Sequence, residues 1–237
     1  MTPKVTIVIP FYNCPYIQQA LTSACGQSYP DIEIIVVDDG SSVHTNLLDP
    51  FRDRIFYMGK KNGGTATALN HGIMHASGEY VAWLSSDDLF YPNKIERQVT
   101  FMLEQGLDVS YTDFSTIDAR SRISKVSNGI PMASQSDLAR QLVYSNPING
   151  CTVMARKDLF VGVGLFNEKL LYTHDFEMWV KMVMHGARFN YLHEPLTMYR
   201  YHAGMGTMKH RRVINREYGR LKKMYRGVLT NIAAQGG

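Results

Sequence analysis

Cysteine and charge are both scarce in this chain, and several familiar motifs are missing. Only three cysteines occur in 237 residues, Cys14, Cys25 and Cys151. Their spacing matches no zinc or redox pattern, so they read as buried or half-buried free thiols. Charged residues make up 19% of the chain and hydrophobic residues 45%, which argues against global disorder and allows a real core. No apolar run approaches the ~20 residues needed to cross a bilayer. The run from Val5 to Pro10 is short for a signal-peptide core and has no small-residue cleavage site after it. The expectation from these absences is a cytoplasmic protein. There is no GxxxxGK[ST] phosphate loop, and Gly162-Val163-Gly164 lacks a third glycine, so the common mononucleotide and dinucleotide signatures are excluded. Neither an internal repeat nor a low-complexity segment is present. The length fits one large domain, or one domain plus a small subdomain.

The net charge of +4 is unevenly placed. Lys209, Arg211, Arg212, Arg216, Arg220, Lys222, Lys223 and Arg226 face Glu217 alone in their stretch. The basic excess therefore belongs to the tail. It is not spread over a nucleic-acid-binding body, and no nucleic-acid partner is expected.

Residues 4–10 and 32–38 read as buried strands, 54–58 as a third, and 80–84 and 108–112 as two more. Between them, helical spacing places Ile17, Ala20, Leu21 and Ala24 on one face, and Ala66, Leu69, Ile73 and Met74 on another. A third helix opens at Pro92 and turns Ile95, Val99, Met102 and Leu103 inward. Strands alternating with helices over the first ~110 residues predict an α/β fold, a mostly parallel sheet covered by helices on both faces. Residues 113–135 read as a polar, irregular excursion. A short helix (136–145), a strand (151–155), an apolar helix from Asp175 to His185 and a strand (188–192) follow, with a break at Pro195. The expected division is a domain over 1–206, with halves meeting near 112/113, and a basic helical tail over 207–237.

In parallel sheets, ligands bind beyond the carboxyl ends of the strands. Both Asp-Asp pairs fall there. Asp87 and Asp88 repel each other and call for cationic company, which Mn²⁺ or Mg²⁺ supplies through carboxylates plus substrate phosphates. The plain alternative is a solvated turn before the helix at Pro92. Asp38 and Asp39 offer an acceptor to a nucleobase N–H, or form the turn before Gly40. Pro10 and Tyr12, at the end of the first strand, offer a surface for stacking a base, or pack at the rim. Asn62 and Gly63, with Gly64, form a plain turn or let backbone approach a phosphate or base. Asp175 is a candidate general base or a helix N-cap. Arg200 and His202 are candidates to meet a metal or diphosphate, with a plain surface histidine as the alternative.

Four segments, "VTIVIPFYN", "IIVVDDGSS", "NGGTATALNHGI" and "GEYVAWLSSDDLFYPNKI", occur in this order. Together they closely resemble the family 2 glycosyltransferases of the GT-A fold, strongly over residues 4–105 and more loosely to about 202 through "HDFEMWVKM" and "YRYH". The resemblance implies that Pro10 and Tyr12 contact the base and that Asp39, with Asp38 beside it, holds a uracil. It implies that Asp88 is the more direct metal ligand, that Asp87 lies nearer the ribose, and that Asp175 is the base of inverting transfer. Three departures stand out. Ser85 occupies a frequent Asp position, Leu69 a frequent Arg position, and His174 the usual Glu position before the base. The last bears on acceptor contacts.

The implied partners are a nucleotide-sugar donor, UDP-linked by expectation, and a glycan, lipid-linked or protein acceptor, in polysaccharide or glycoconjugate synthesis. A sugar-1-phosphate nucleotidyltransferase would carry a Gly-rich basic loop after the first strand, where "IPFYNCPY" has none. A non-catalytic sugar-nucleotide binder would not need Asp87, Asp88 and Asp175 together. The basic tail suits either peripheral contact with the inner face of an anionic membrane, or docking on the catalytic domain or a second subunit of a homodimer.

Overall fold

The computed structural model describes residues 2–235. The chain begins β1 (Val5–Phe11), α1 (Ile17–Cys25), β2 (Ile32–Asp38), β3 (Phe56–Gly59), α2 (Thr65–His75) and β4 (Tyr80–Trp83). It continues β5 (Leu89–Phe90), α3 (Lys94–Gln105), β6 (Val109–Ile117), β7 (Ile123–Lys125), α4 (Gln135–Tyr144), β8 (Met154–Arg156) and α5 (Lys157–Gly162). It ends α6 (His174–Met184), β9 (Phe189–Arg200), α7 (Gly206–Lys209) and α8 (Arg211–Ala234).

The strands form one sheet in the order β3-β2-β1-β4-β8-β6-β9-β5, with β7 paired to β6. The first four are mutually parallel. Side chains alternate along β1, so both of its faces must be covered. Val5, Ile7 and Ile9 pack with Ile17 and Leu21 of α1 and Ile95 and Val99 of α3. Val8 enters the opposite core with Leu69 and Ile73 of α2, which also holds Phe176, Trp179, Leu221 and Leu229. Gly72 permits the close approach of α2 to β1, since a Cβ there would lie 2.4 Å from Val8 Cγ1. The expected α/β architecture, helices on both faces of the sheet, is present.

The second half departs from the expected pattern. β8 inserts between β4 and β6, antiparallel to both. β6 runs on to Ile117, into the stretch expected to be irregular, so the expected boundary between halves falls inside a strand. β9 does not break at Pro195. It continues to Arg200, and Pro195 sits opposite Asp113 where the register with β6 shifts. A residue without an N–H is tolerated at such a bulge.

The tail is not a separate element. α8 runs unbroken through Gly219 and buries Leu221 and Leu229 against the domain. Residues 236 and 237 lie outside the described residues. Among the described residues, no helix is long and apolar enough to cross a membrane.

Candidate active site

Because β1, β2 and β4 are parallel, their carboxyl ends share one edge of the sheet, and the loops leaving them frame a cleft. Two adjoining cavities lie there, of 690 Å³ and 400 Å³. Pro10, Tyr12, Asp39, Asp87, His202 and Lys209 help line the larger. Trp83, Asp87, Asp88, Cys151, His174 and Asp175 help line the smaller. Asp87 lines both.

The larger cavity is built where β1 and β2 end. Asn13 takes a left-handed turn (φ 49°), and its side-chain oxygen accepts from the backbone N–H groups of Ser42 and Val43. This ties the end of β1 to the Asp-Asp turn. Asp39 Oδ1 accepts from Lys60 Nζ (2.5 Å) and Gly63 N (2.9 Å), and Oδ2 from Gly64 N (2.7 Å). Gly64 sits at φ +91°, a conformation costly for any side chain, and so turns its N–H into the carboxylate. Asp39 Oδ2 keeps accepting capacity for one more donor.

The 85–88 loop ends β4. Cys151 clasps it from one side, with Sγ donating to Ser85 Oγ (3.1 Å) and accepting from Ser85 N (3.2 Å). Cys14 clasps it from the other, donating to the Ser86 carbonyl (3.3 Å). Asp87 Oδ2 meets His202 Nε2 at 3.0 Å. Asp88 is buried, and its Oδ1 accepts from Arg200 N (2.8 Å). Burial, then the neighbouring Asp87 charge, hold the Asp88 carboxyl well above the usual carboxylate range, while the Arg200 N–H and the Cys151 thiol oppose them.

Asp175 is the second residue of α6 and lies under the smaller cavity. Its Oδ2 accepts from Asn146 Nδ2 (2.9 Å) and its Oδ1 from Phe176 N (2.7 Å). Burial pushes its carboxyl up to about 6, against those two donors. The loop before it is held by a residue of the tail. Glu217 of α8 accepts from the backbone N–H groups of Leu171, Tyr172 and Thr173 and from the Thr173 hydroxyl. Tyr225 of α8 donates to Glu177 Oε1 (3.1 Å) in the first turn of α6.

A divalent cation fits this site only in part by protein groups. Asp88 Oδ2 is buried and has no hydrogen-bond partner among the described residues, so a hydrogen-bond donor or a bound cation there would satisfy it. Asp87 and His202 stand beside it. Yet no cluster of three or more His, Cys, Asp or Glu among the described residues is arranged to hold an ion alone. Completion by substrate phosphates matches the usual binding of Mg²⁺.

The sequence profile of glycosyl transferase family 2 matches residues 6–160. The chain belongs to this family. It is 39% identical over 212 residues to an uncharacterized glycosyltransferase of Rickettsia typhi, covering 87% of this chain and 66% of that one. It is 30% identical over 210 residues to Bacillus subtilis TuaG, whose name assigns it provisionally to teichuronic acid biosynthesis, covering 84% of this chain and 79% of that one. The chain spans about two thirds or less of the first Rickettsia relatives' length. The crystal structure of S. aureus TarS 1-349 in complex with UDP-GlcNAc superposes with a TM-score of 0.71 at 22% identity, over 87% of this chain and 61% of that one. That likeness shows the GT-A fold.

Within this family 2 chain, the expected site residues divide. Pro10, Tyr12, Asp39, Asp87, Asp88, Asp175 and His202 line the cleft. Asp38 does not. It receives Ser41 N (2.8 Å) and the Tyr57 hydroxyl (2.6 Å) and acts as the turn-former. Asn62 and Gly63 also bind protein: Asn62 Nδ2 donates to the Asp39 carbonyl (2.9 Å) and Gly63 N to its carboxylate. Arg200 corrects the expectation of a diphosphate contact. Its side chain is fully buried over the Tyr16 ring, and it donates to the Asp87 and Asp118 carbonyls, Ser121 Oγ and Gln19 Oε1. It braces the aspartate loop from behind. The Leu69 departure also loses its meaning, because Leu69 faces the core while Thr65 and Ala68 face the cleft. Asp175 is no N-cap, since Thr173 holds that position.

Sequence reasoning missed Lys60, Asn146 and Glu217. The first two carry no local signal, being single polar residues near turns. Glu217 did carry one, as the only acid in a basic helix.

Proposed function

We propose that this family 2 enzyme is an inverting glycosyltransferase that moves a sugar from a uridine diphosphate donor to a hydroxyl acceptor, assisted by Mn²⁺ or Mg²⁺. The observation that carries the reading is that Asp87 lines both cavities. It joins the larger cavity, which Tyr12 and Asp39 help line, to the smaller one, which Asp175 helps line. In this reading the donor nucleotide lies in the larger cavity, with its base against Tyr12 and an imide N–H directed to Asp39. The acceptor oxygen forms a bond to the anomeric carbon as the bond to the diphosphate oxygen breaks. The electron pair leaves with the diphosphate, and Asp175 takes the hydroxyl proton. A carboxyl held near 6 is largely ionised at neutral pH and more basic than an ordinary aspartate. Asp87, Asp88 and His202 would hold the cation, which when bound neutralises charge on the departing diphosphate.

The UDP-GlcNAc complex of TarS supports a UDP-sugar donor, and the name of TuaG supports a role in cell-envelope polysaccharide synthesis. The outward residues of α8, Arg211, Arg212, Arg216, Arg220, Lys223 and Arg226, are exposed and include no acid. This face favours peripheral contact with an anionic membrane that presents the acceptor. A panel of UDP-sugars scored by melting temperature with Mn²⁺ tests the donor reading. A ligand at 100 times its Kd adds ~2.7 kcal/mol of stability. The expected result is a shift with UDP-sugars that chelation removes. No shift with any UDP compound overturns the donor assignment.

A further inference from the structure

Two histidines stand four residues apart on α2, His71 half-buried and His75 exposed at the end of the helix. Neither lines a cavity of the cleft. Side chains at this spacing are neighbours on a helix, and here the two imidazole rings lie 4.7 Å apart, tilted by 50°. That separation suits one metal ion shared between them. A nitrogen–metal bond of ~2.0–2.1 Å, with about 1.1 Å from ring nitrogen to ring centre, sets two imidazoles on one ion about 4.5–5.2 Å apart, for angles from square-planar to tetrahedral.

Hydrogen bonding settles which nitrogens are free. His75 Nδ1 lies 2.8 Å from the His71 carbonyl. A carbonyl can only accept, so Nδ1 carries a proton and donates it, and in the neutral ring Nε2 keeps its lone pair. A ring N–H given to a backbone carbonyl is the arrangement that orients metal-binding histidines. The His71 ring nitrogens are engaged by no hydrogen bond among the described residues. Two imidazolium charges this close would repel, which favours the neutral rings that a metal requires.

The donor type selects the ion. Imidazole nitrogen suits zinc, copper and nickel, whereas Mg²⁺ and Mn²⁺ prefer oxygen. The pair therefore differs in kind from the aspartate loop of the cleft. No group of three His, Cys, Asp or Glu among the described residues is arranged around an ion, so water completes the coordination. We propose that His71 and His75 form a separate metal site that takes a divalent cation of the zinc, copper and nickel class through their Nε2 atoms. The two rings are neighbours only while α2 is helical, so the ion clips the end of the helix and stabilises it.

Copper EPR on the full, untagged chain tests it, after stripping with chelator and return of one equivalent of Cu²⁺. The expected spectrum is that of a single copper with splitting from imidazole nitrogens, unchanged by a tenfold excess of Mg²⁺. His71→Ala and His75→Ala, each checked for folding by circular dichroism, should each weaken Cu²⁺ affinity tenfold or more against a competing chelator. Glutamine at the same position replaces an alanine variant that fails to fold. His202→Ala, which alters the cleft, should keep the native affinity. Affinity unchanged in either α2 variant overturns the shared site. So does affinity lost in His202→Ala, or copper bound without imidazole nitrogens.

Discussion

Asp175 owes its chemistry to its position. An exposed aspartate is ionised far below neutral pH and is a weak base, whereas here burial lifts the carboxyl to about 6. As the base must be ionised to accept a proton, kcat/KM should fall as pH drops through about 6, following a single ionisation. Asn146→Ala removes a donor that favours the ionised form, so the same limb should move to higher pH. A limb that stays in place would exclude Asp175 as its origin. Asp175→Asn should fold, bind UDP and lose ~10²-fold or more in turnover. Early melting with intact turnover per folded molecule would assign Asp175 a structural role instead. At the other end of the cleft, Asp39→Ala should weaken UDP binding by about 1.5–3 kcal/mol, the range for a hydrogen bond to a charged group. Unchanged affinity by calorimetry would remove Asp39 from the donor site.

Among the elements, α8 contributes most to the site without entering it. Glu217 gathers the N–H groups of residues 171–173, the stretch that leads into α6, and thereby fixes the segment that presents Asp175. Glu217→Ala leaves the Thr173 N–H and hydroxyl buried without this partner, at a cost of about 1–3 kcal/mol in stability. It should lower kcat more than it alters the donor KM, because the donor cavity rests mainly on β1, β2 and β4. A variant with wild-type kcat and reduced melting temperature would limit α8 to support of the fold. The elements legible in the sequence were those with strong local periodicity, β1, β2, β4, α2 and α3. β8 was legible as a strand but not as the antiparallel partner of β4 and β6, because that pairing is long-range. The run of β9 through Pro195 was hidden because the bulge that tolerates the proline belongs to β6 as much as to β9. The gathering of Asp39, Asp87 and Asp88 in the cleft was legible from motif and strand ends, and that of Asp175 from motif alone. The burial of Arg200 was not, since a guanidinium beside a carboxylate loop reads the same whether it faces solvent or lies behind the loop.

At the scale of the whole molecule, the chain carries two surfaces of different charge. The cleft is acidic, and the outward face of α8 is basic. Deleting the tail to test membrane contact would also remove Glu217, Leu221 and Leu229 from the fold. Charge reversal at Arg212, Arg216 and Arg220 avoids this. The native chain should sediment with anionic vesicles at low salt, with each cation contributing ~1 kcal/mol, and the reversed variant should not. Equal sedimentation of both would remove the basic face from any membrane role. The central claim concerns the cleft and is tested most directly by the first product anomer. Proton NMR can follow whichever α-linked UDP-sugar of a panel is cleaved with Mg²⁺, with water as the acceptor, before the free sugar mutarotates. Inverting attack across a cleft with Asp175 opposite the diphosphate predicts that the β-anomer appears first, that cleavage stops on chelation, and that Asp175→Asn suppresses it. Initial release of the α-anomer, or cleavage at full rate in excess chelator, would contradict the account.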